Sequence, residues 1–174
     1  MSALAPRLAR PRAPALLTVD VEDWYHVNYK TWRPADAPAQ GRVEINTRRI
    51  LDLCAERGLR GTFFVLGCVA RDHPSLVREI AAAGHEVACH GFDHELVYEQ
   101  GEERFRAAVA DARARLQDAS GQAVAGFRAP SWSVTRRSLW ALDVLADAGI
   151  SKISRPPGVR IHAGAGGASF SPYM

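Results

Sequence analysis

Four short apolar runs at residues 15–19, 61–66, 85–89 and 124–127 are each followed by a stretch with helical spacing of its apolar residues. The runs are β-rich, nearly continuous in apolar character and too short for buried helices, as expected of strands covered on both faces. After the first comes a segment at 24–40 rich in aromatics and prolines (Trp32, Pro34, Pro38), which predicts a long loop. A helix follows, with Asn46 or Thr47 as its cap, Ile50, Leu53 and Cys54 on its apolar face and Gly58 at its stop. Asp72-His73-Pro74 opens a second helix whose stripe is Leu76, Val77 and Ile80 and which ends at Gly84. A third carries Phe105, Ala108, Val109, Ala112 and Leu116 and closes at Gly121. The fourth, capped by Thr135, presents Leu139, Leu142, Leu145 and Ala146 and stops at Gly149.

Strand and helix alternate through four βα units, so the chain is α/β with a parallel sheet and right-handed crossovers, either open or curling into a barrel. Three regions are expected: a flexible basic tail at 1–14 with Arg7, Arg10 and Arg12, the βα domain at 15–150, and an irregular tail at 151–174. That last stretch holds no acidic residue, has a glycine-rich run at 164–167, and shows neither a fifth strand nor an amphipathic period. It reads as a flexible tail or as an aberrant end to a longer protein.

A hydrophobic fraction of 47% with 24% charged residues argues for a folded globular domain. The net charge of +3 is too mild to point to nucleic acid or a membrane surface. No apolar run approaches the length of a membrane span, and Pro6, Pro11 and Pro14 interrupt any signal-peptide core, so the expected compartment is the cytoplasm. The three cysteines, Cys54, Cys68 and Cys89, lack a Cys-x-x-Cys spacing and are expected to be buried thiols.

Three polar clusters follow strands: Asp20-Val21-Glu22-Asp23, His90-Gly91-Phe92-Asp93-His94 and Arg128-Ala129-Pro130-Ser131-Trp132. In parallel α/β folds the ends of strands are where catalytic groups collect. Strand alternation puts Asp20 and Glu22 on one side, with Asp23 one residue later, and either second acid can accompany Asp20. His90 and His94 are four apart, so a helical turn starting at His90 would aim both rings at one point. Two imidazoles with one carboxylate leave coordination positions open, as catalytic metal sites require, while a second carboxylate takes a proton from water. Asp93 is expected to support or cap this group. Arg128, fixed by the extended approach to Pro130, can hold a carboxylate, and Trp132 and Trp24 offer flat faces for a sugar ring.

These clusters resemble the first three motifs of the polysaccharide deacetylases, also called NodB-like or carbohydrate esterase family 4. Val19-Asp-Val-Glu-Asp-Trp24 and Gly61-Thr-Phe-Phe-Val-Leu-Gly67 resemble the branch associated with bacterial exopolysaccharide biosynthesis. The resemblance implies a distorted (β/α)7 barrel, of which this chain carries about the first four units. It also implies metal-dependent removal of acetyl groups from an N-acetylated polysaccharide or oligosaccharide, with zinc as the usual divalent metal. Residue by residue, it implies Asp20 as general base, His90 and His94 as ligands, Glu22 or Asp23 as the ligand acid, and Arg128 as the residue that positions the base. Gly91 departs from the usual Ser or Thr. The family's proton donor lies in a late Leu-His motif, and no Leu-His pair occurs here; His162 stands in Ile-His-Ala. Alternatives are an amidohydrolase of the same fold acting on a small cyclic amide, and a non-catalytic carbohydrate- or partner-binding remnant.

Overall fold

The structure is a computed structural model and describes residues 16–26, 41–154 and 171–172. The tail expected at 1–14, most of the loop expected at 24–40, most of the stretch from 151 and His162 lie outside the described residues.

Strands β1 (Leu17–Val21), β2 (Gly61–Val65), β3 (Glu86–Cys89), β4 (Gly126–Arg128) and β5 (Lys152–Ser154) are adjacent in that order and pair in parallel. A two-residue strand, β6 (Ser171–Pro172), continues the sheet beyond β5. The order never reverses, which is the arrangement of half a barrel wall and not of a doubly wound sheet. Helices α1 (Val43–Arg57), α2 (Gly67–Asp72), α3 (Pro74–Ala82), α4 (Val97–Gln100), α5 (Glu102–Ser120) and α6 (Trp140–Asp147) accompany it.

Period-two alternation divides each strand between two environments. On β1, Val19 and Val21 join the core beneath the helices, leaving Thr18 and Asp20 on the opposite face. On β2, Phe63 belongs to that core while Phe64, equally buried, lies on the site side. The core is organised around α5, which buries Phe105, Val109, Ala112, Leu116 and Ala119 along one stripe and packs on α2, α3, α6 and β3. Phe105 meets Phe127 and Trp140 edge to face, with ring centroids 5.9 and 5.6 Å apart.

Several expectations shift. β1 and β4 run to Val21 and Arg128, so Asp20 and Arg128 are strand residues and not loop residues. Helix α1 begins at Val43, ahead of Asn46 and Thr47, and α2 was not expected at all. The stretch from 151 was read as irregular, yet Lys152–Ser154 is a fifth strand in register with β4. The anticipated stops hold: Gly58 and Gly121 adopt left-handed conformations at φ 60° and 69°, which glycine reaches without a Cβ penalty. All three cysteines are buried free thiols, with Cys68 and Cys89 pushed up to about 11 and about 12 by burial. Among the described residues no helix is long and apolar enough to cross a membrane.

Candidate metal centre

His90 extends the ladder of β3, its N–H donating to the carbonyl of Val65 at 3.0 Å. The chain then leaves regular structure: Gly91 has φ 83° and His94 φ 64°. The two histidines therefore converge through an irregular loop, not through the helical turn expected from their spacing. That loop is pinned by the first N–H groups of α2, which lack partners within their own helix. Gly67 N–H donates to Gly91 O and Cys68 N–H to Phe92 O, both at 2.9 Å. A Cβ on Gly67 would stand 2.6 Å from the Phe92 ring, so only glycine allows this approach. The outcome is that the His90 and His94 rings meet with centroids 5.3 Å apart.

Glu22, one residue past β1, completes the group. Its Oε2 lies 3.0 Å from His94 Nε2 and 4.0 Å from His90 Nε2, and one donor atom from each of the three residues falls within 4.8 Å of the others. His90 Nδ1 is 2.8 Å from the carbonyl oxygen of Arg128. A carbonyl only accepts, so Nδ1 carries the proton and the neutral ring turns a bare Nε2 lone pair toward Glu22. Burial pushes the His90 pKa down, against the pull of Asp20, the Arg128 carbonyl and Glu22, which favours that neutral ring. Burial pushes the Glu22 carboxyl up, but His94, then His90 and His26, outweigh it and leave the carboxyl below its ordinary value. Glu22 Oε2 is a buried oxygen whose near neighbours are the two imidazole Nε2 atoms. A buried carboxylate oxygen converging with two imidazole nitrogens suits a divalent cation. Two nitrogens and one oxygen form the donor set of a catalytic site with a position left open.

Asp23 is not part of this cluster. It is 5% exposed, and its Oδ2 accepts from the backbone N–H groups of Arg42 and Val43 at 2.5 and 2.9 Å, while Oδ1 accepts from Trp24 N–H at 2.9 Å. Asp23 thus caps α1 from 20 residues away, which explains why that helix starts ahead of the Asn and Thr expected to cap it. Asp93, beside His94, is exposed.

Arg128 ends β4 and is buried, with Nη1 donating to Asp20 Oδ1 at 2.6 Å. Its Nη2 donates to Thr18 Oγ1 at 2.9 Å, and Nε and Nη2 donate to Ser154 Oγ at 3.1 and 2.9 Å. The guanidinium carbon lies 4.1 Å from the Phe64 ring centroid and 5.1 Å from that of Trp132. Trp132 is 42% exposed in a turn where it and Ser131 have φ of 55° and 47°. Trp24 is equally exposed at 42% and meets Tyr25 edge to face. Sequence reasoning missed Thr18 and Ser154. Thr18 was findable, standing two residues before Asp20 on the same face, whereas Ser154 lies on a strand that had no apolar signature.

The sequence matches the family model described as polysaccharide deacetylase over residues 22–152. It is 35% identical over 117 residues to a chitooligosaccharide deacetylase of Sinorhizobium fredii, covering 65% of this chain and 52% of the relative. A peptidoglycan-N-acetylglucosamine deacetylase of Bacillus cereus is 29% identical over 98 residues, covering 56% and 36%. The matched stretch thus spans about half or less of these relatives' length. Among solved structures, a family 4 carbohydrate esterase from Streptomyces lividans in complex with acetate superposes with a TM-score of 0.60 at 26% identity, covering 80% of this chain and 60% of that one. A pseudoenzyme of the same esterase family from Bacillus anthracis gives 0.62 at 20% identity, covering 79% and 41%, a likeness of fold alone. With the family match spanning most of the chain and the half-barrel agreeing with it, this chain belongs to the polysaccharide deacetylase family.

Proposed function

We propose that this domain is a metal-dependent hydrolase that removes N-acetyl groups from a polysaccharide or oligosaccharide, with Glu22, His90 and His94 holding a zinc ion. The observation that carries the reading is the convergence of the buried Glu22 Oε2 with two imidazole nitrogens beside the Arg128–Asp20 pair. Zinc bound there supplies Lewis acidity toward an acetamide carbonyl and toward water. Asp20 takes the proton of the attacking water at its carboxylate, which Arg128 Nη1 holds through Oδ1. The Arg128 carbonyl keeps the proton of His90 on Nδ1, so Nε2 stays available as a donor. The exposed rings of Trp132 and Trp24 form the walls on which pyranose faces stack. Protonation of the departing amine falls to a group outside this set. The names of the relatives support N-acetylated glucosamine polymers as the substrate class, and the resemblance of residues 19–24 and 61–67 to the exopolysaccharide branch supports a bacterial exopolysaccharide among them.

The test is acetate release from chitooligosaccharides and N-acetylated peptidoglycan fragments by the full chain, with and without zinc. Zinc-dependent release is expected, falling about 10²–10⁴-fold in Asp20→Asn and lost in His90→Ala. Absence of zinc-dependent release from every acetylated glycan would overturn the proposal.

A further inference from the structure

The ion pair between Arg128 and Asp20 is a single contact, Nη1 to Oδ1 at 2.6 Å, and one contact leaves a planar guanidinium free to pivot about it. Two hydroxyls remove that freedom. Ser154 Oγ accepts from Nε at 3.1 Å and from Nη2 at 2.9 Å, and Thr18 Oγ1 accepts from Nη2 at 2.9 Å. Together with Asp20 Oδ1 these make three acceptor atoms that do not lie in a line, so they fix the plane of the fork as well as its position. The Phe64 ring, with its centroid 4.1 Å from the guanidinium carbon, limits motion out of that plane.

The acceptors come from different parts of the sheet. Thr18 and Asp20 share one face of β1, while Ser154 lies on β5, which is hydrogen-bonded to β4 next to Arg128 itself. In the order β1-β2-β3-β4-β5 the arginine therefore reaches from the fourth strand to the first, past the inner face of Phe64. Its own carbonyl meanwhile accepts from His90 Nδ1 at 2.8 Å. One residue serves the base through its side chain and a candidate ligand through its backbone.

We propose that Thr18 and Ser154 are positioning residues, whose hydroxyls aim Arg128 and through it set the direction of the Asp20 carboxylate. The proposal rests on the deacetylase reading for its kinetic consequences, but the clamping of the arginine is measurable without it. Both hydroxyls are engaged by the guanidinium, so loss of either is expected to act on the orientation of the base and to show in kcat before KM.

The experiment uses the full chain in four variants: Thr18→Val and Ser154→Ala, which remove a hydroxyl, and Thr18→Ser and Ser154→Thr, which keep one. In the deacetylation assay, Thr18→Val and Ser154→Ala are expected to lower kcat about tenfold or more with KM unchanged, since small displacements of a catalytic group cost up to about 10²-fold. Thr18→Ser and Ser154→Thr retain kcat within a few-fold. In parallel, the ¹H–¹⁵N resonance of the Arg128 Nε–H reports the clamp directly, and its exchange with water should accelerate about tenfold in Ser154→Ala. Wild-type kcat in both hydroxyl-free variants, or an unchanged Nε–H exchange rate in Ser154→Ala, would overturn the proposal. If the wild-type chain releases no acetate, the deacetylase reading falls by itself and the Nε–H exchange still decides whether the clamp exists.

Discussion

Glu22 and Asp23 are adjacent carboxylates to which the fold gives different work, and replacing them one at a time separates metal binding from stability. In Asp23→Ala the buried N–H of Val43 loses its acceptor, and those of Arg42 and Trp24 lose theirs nearer to solvent. A lost helix cap costs about 0.5–2 kcal/mol, and a buried N–H left unpaired costs about 1–3 kcal/mol. The two overlap at Val43, so a loss of about 2–3 kcal/mol is expected, a large share of a typical stability of about 5–15 kcal/mol. In Glu22→Gln, by contrast, only the attraction to His94 and His90 is weakened while the backbone caps stay intact, and the metal-free protein is expected to lose less stability than Asp23→Ala does. Urea unfolding in the presence of a chelator measures the first quantity. Zinc affinity, measured by competition with a chromophoric chelator, measures the second. Loss of a direct ligand in Glu22→Gln should exceed the about 10–100-fold that removal of an outer partner costs, while Asp23→Ala keeps its affinity within that range. Wild-type zinc affinity in Glu22→Gln, or loss of zinc binding in an Asp23→Ala protein of undiminished stability, would refute the division of labour.

Two further outcomes follow from the same structure. The buried His85 ring accepts the Gly61 N–H through Nδ1 at 3.2 Å and packs on Phe63, and burial, then Arg60, push its pKa down. A group whose pKa is depressed on folding contributes stability that is complete above its unfolded value, about 6.5, and lost as pH falls through the folded value. The urea midpoint should therefore decline below about pH 6.5, and His85→Asn should flatten that decline; an unaltered slope would remove His85 as its source. Gly91→Ser places a side chain at φ 83° with Cβ 3.3 Å from Pro130 Cγ. A cost of about 1–3 kcal/mol is expected, lowering Tm by about 2–4 °C per kcal/mol, and a Tm at or above wild type would contradict it.

Most of what the sequence revealed came from features that are local. Gly58, Gly121 and Gly149 announce helix ends because a left-handed residue is needed there, and the runs in β2 and β3 announce strands because both faces are covered. Alternation along the first strand predicts Asp20 and Glu22 on one side, and in the structure both carboxylates act on the His90 ring. What was missed depended on distant partners or on too little chain. Helix α2 is six residues long with Gly67, Cys68, Val69 and Ala70 all buried, so it is too short to set a helical period in the sequence. Strand β5, Lys-Ile-Ser, has one apolar residue and shows itself only through pairing with β4. The spacing of His90 and His94 imitates a helix, but Gly91 and the backbone contacts from α2 bend the loop instead. No local pattern could have assigned Asp23 to a helix 20 residues away.

The contact between Asp20 and Arg128 joins residues 108 apart in the chain. At about 5–20 residues per second, a ribosome needs about 5–20 s to reach the arginine after making the aspartate. During that interval the acids of β1 have been synthesised but lack the cation that will hold Asp20, and the strand that carries them has β2 as its early neighbour. The site is in this sense assembled only after the fourth strand has been made. A pause between the third strand and the fourth would lengthen the time these carboxylates spend without their partner, and would leave the edge of β3 exposed to chaperones or to other chains.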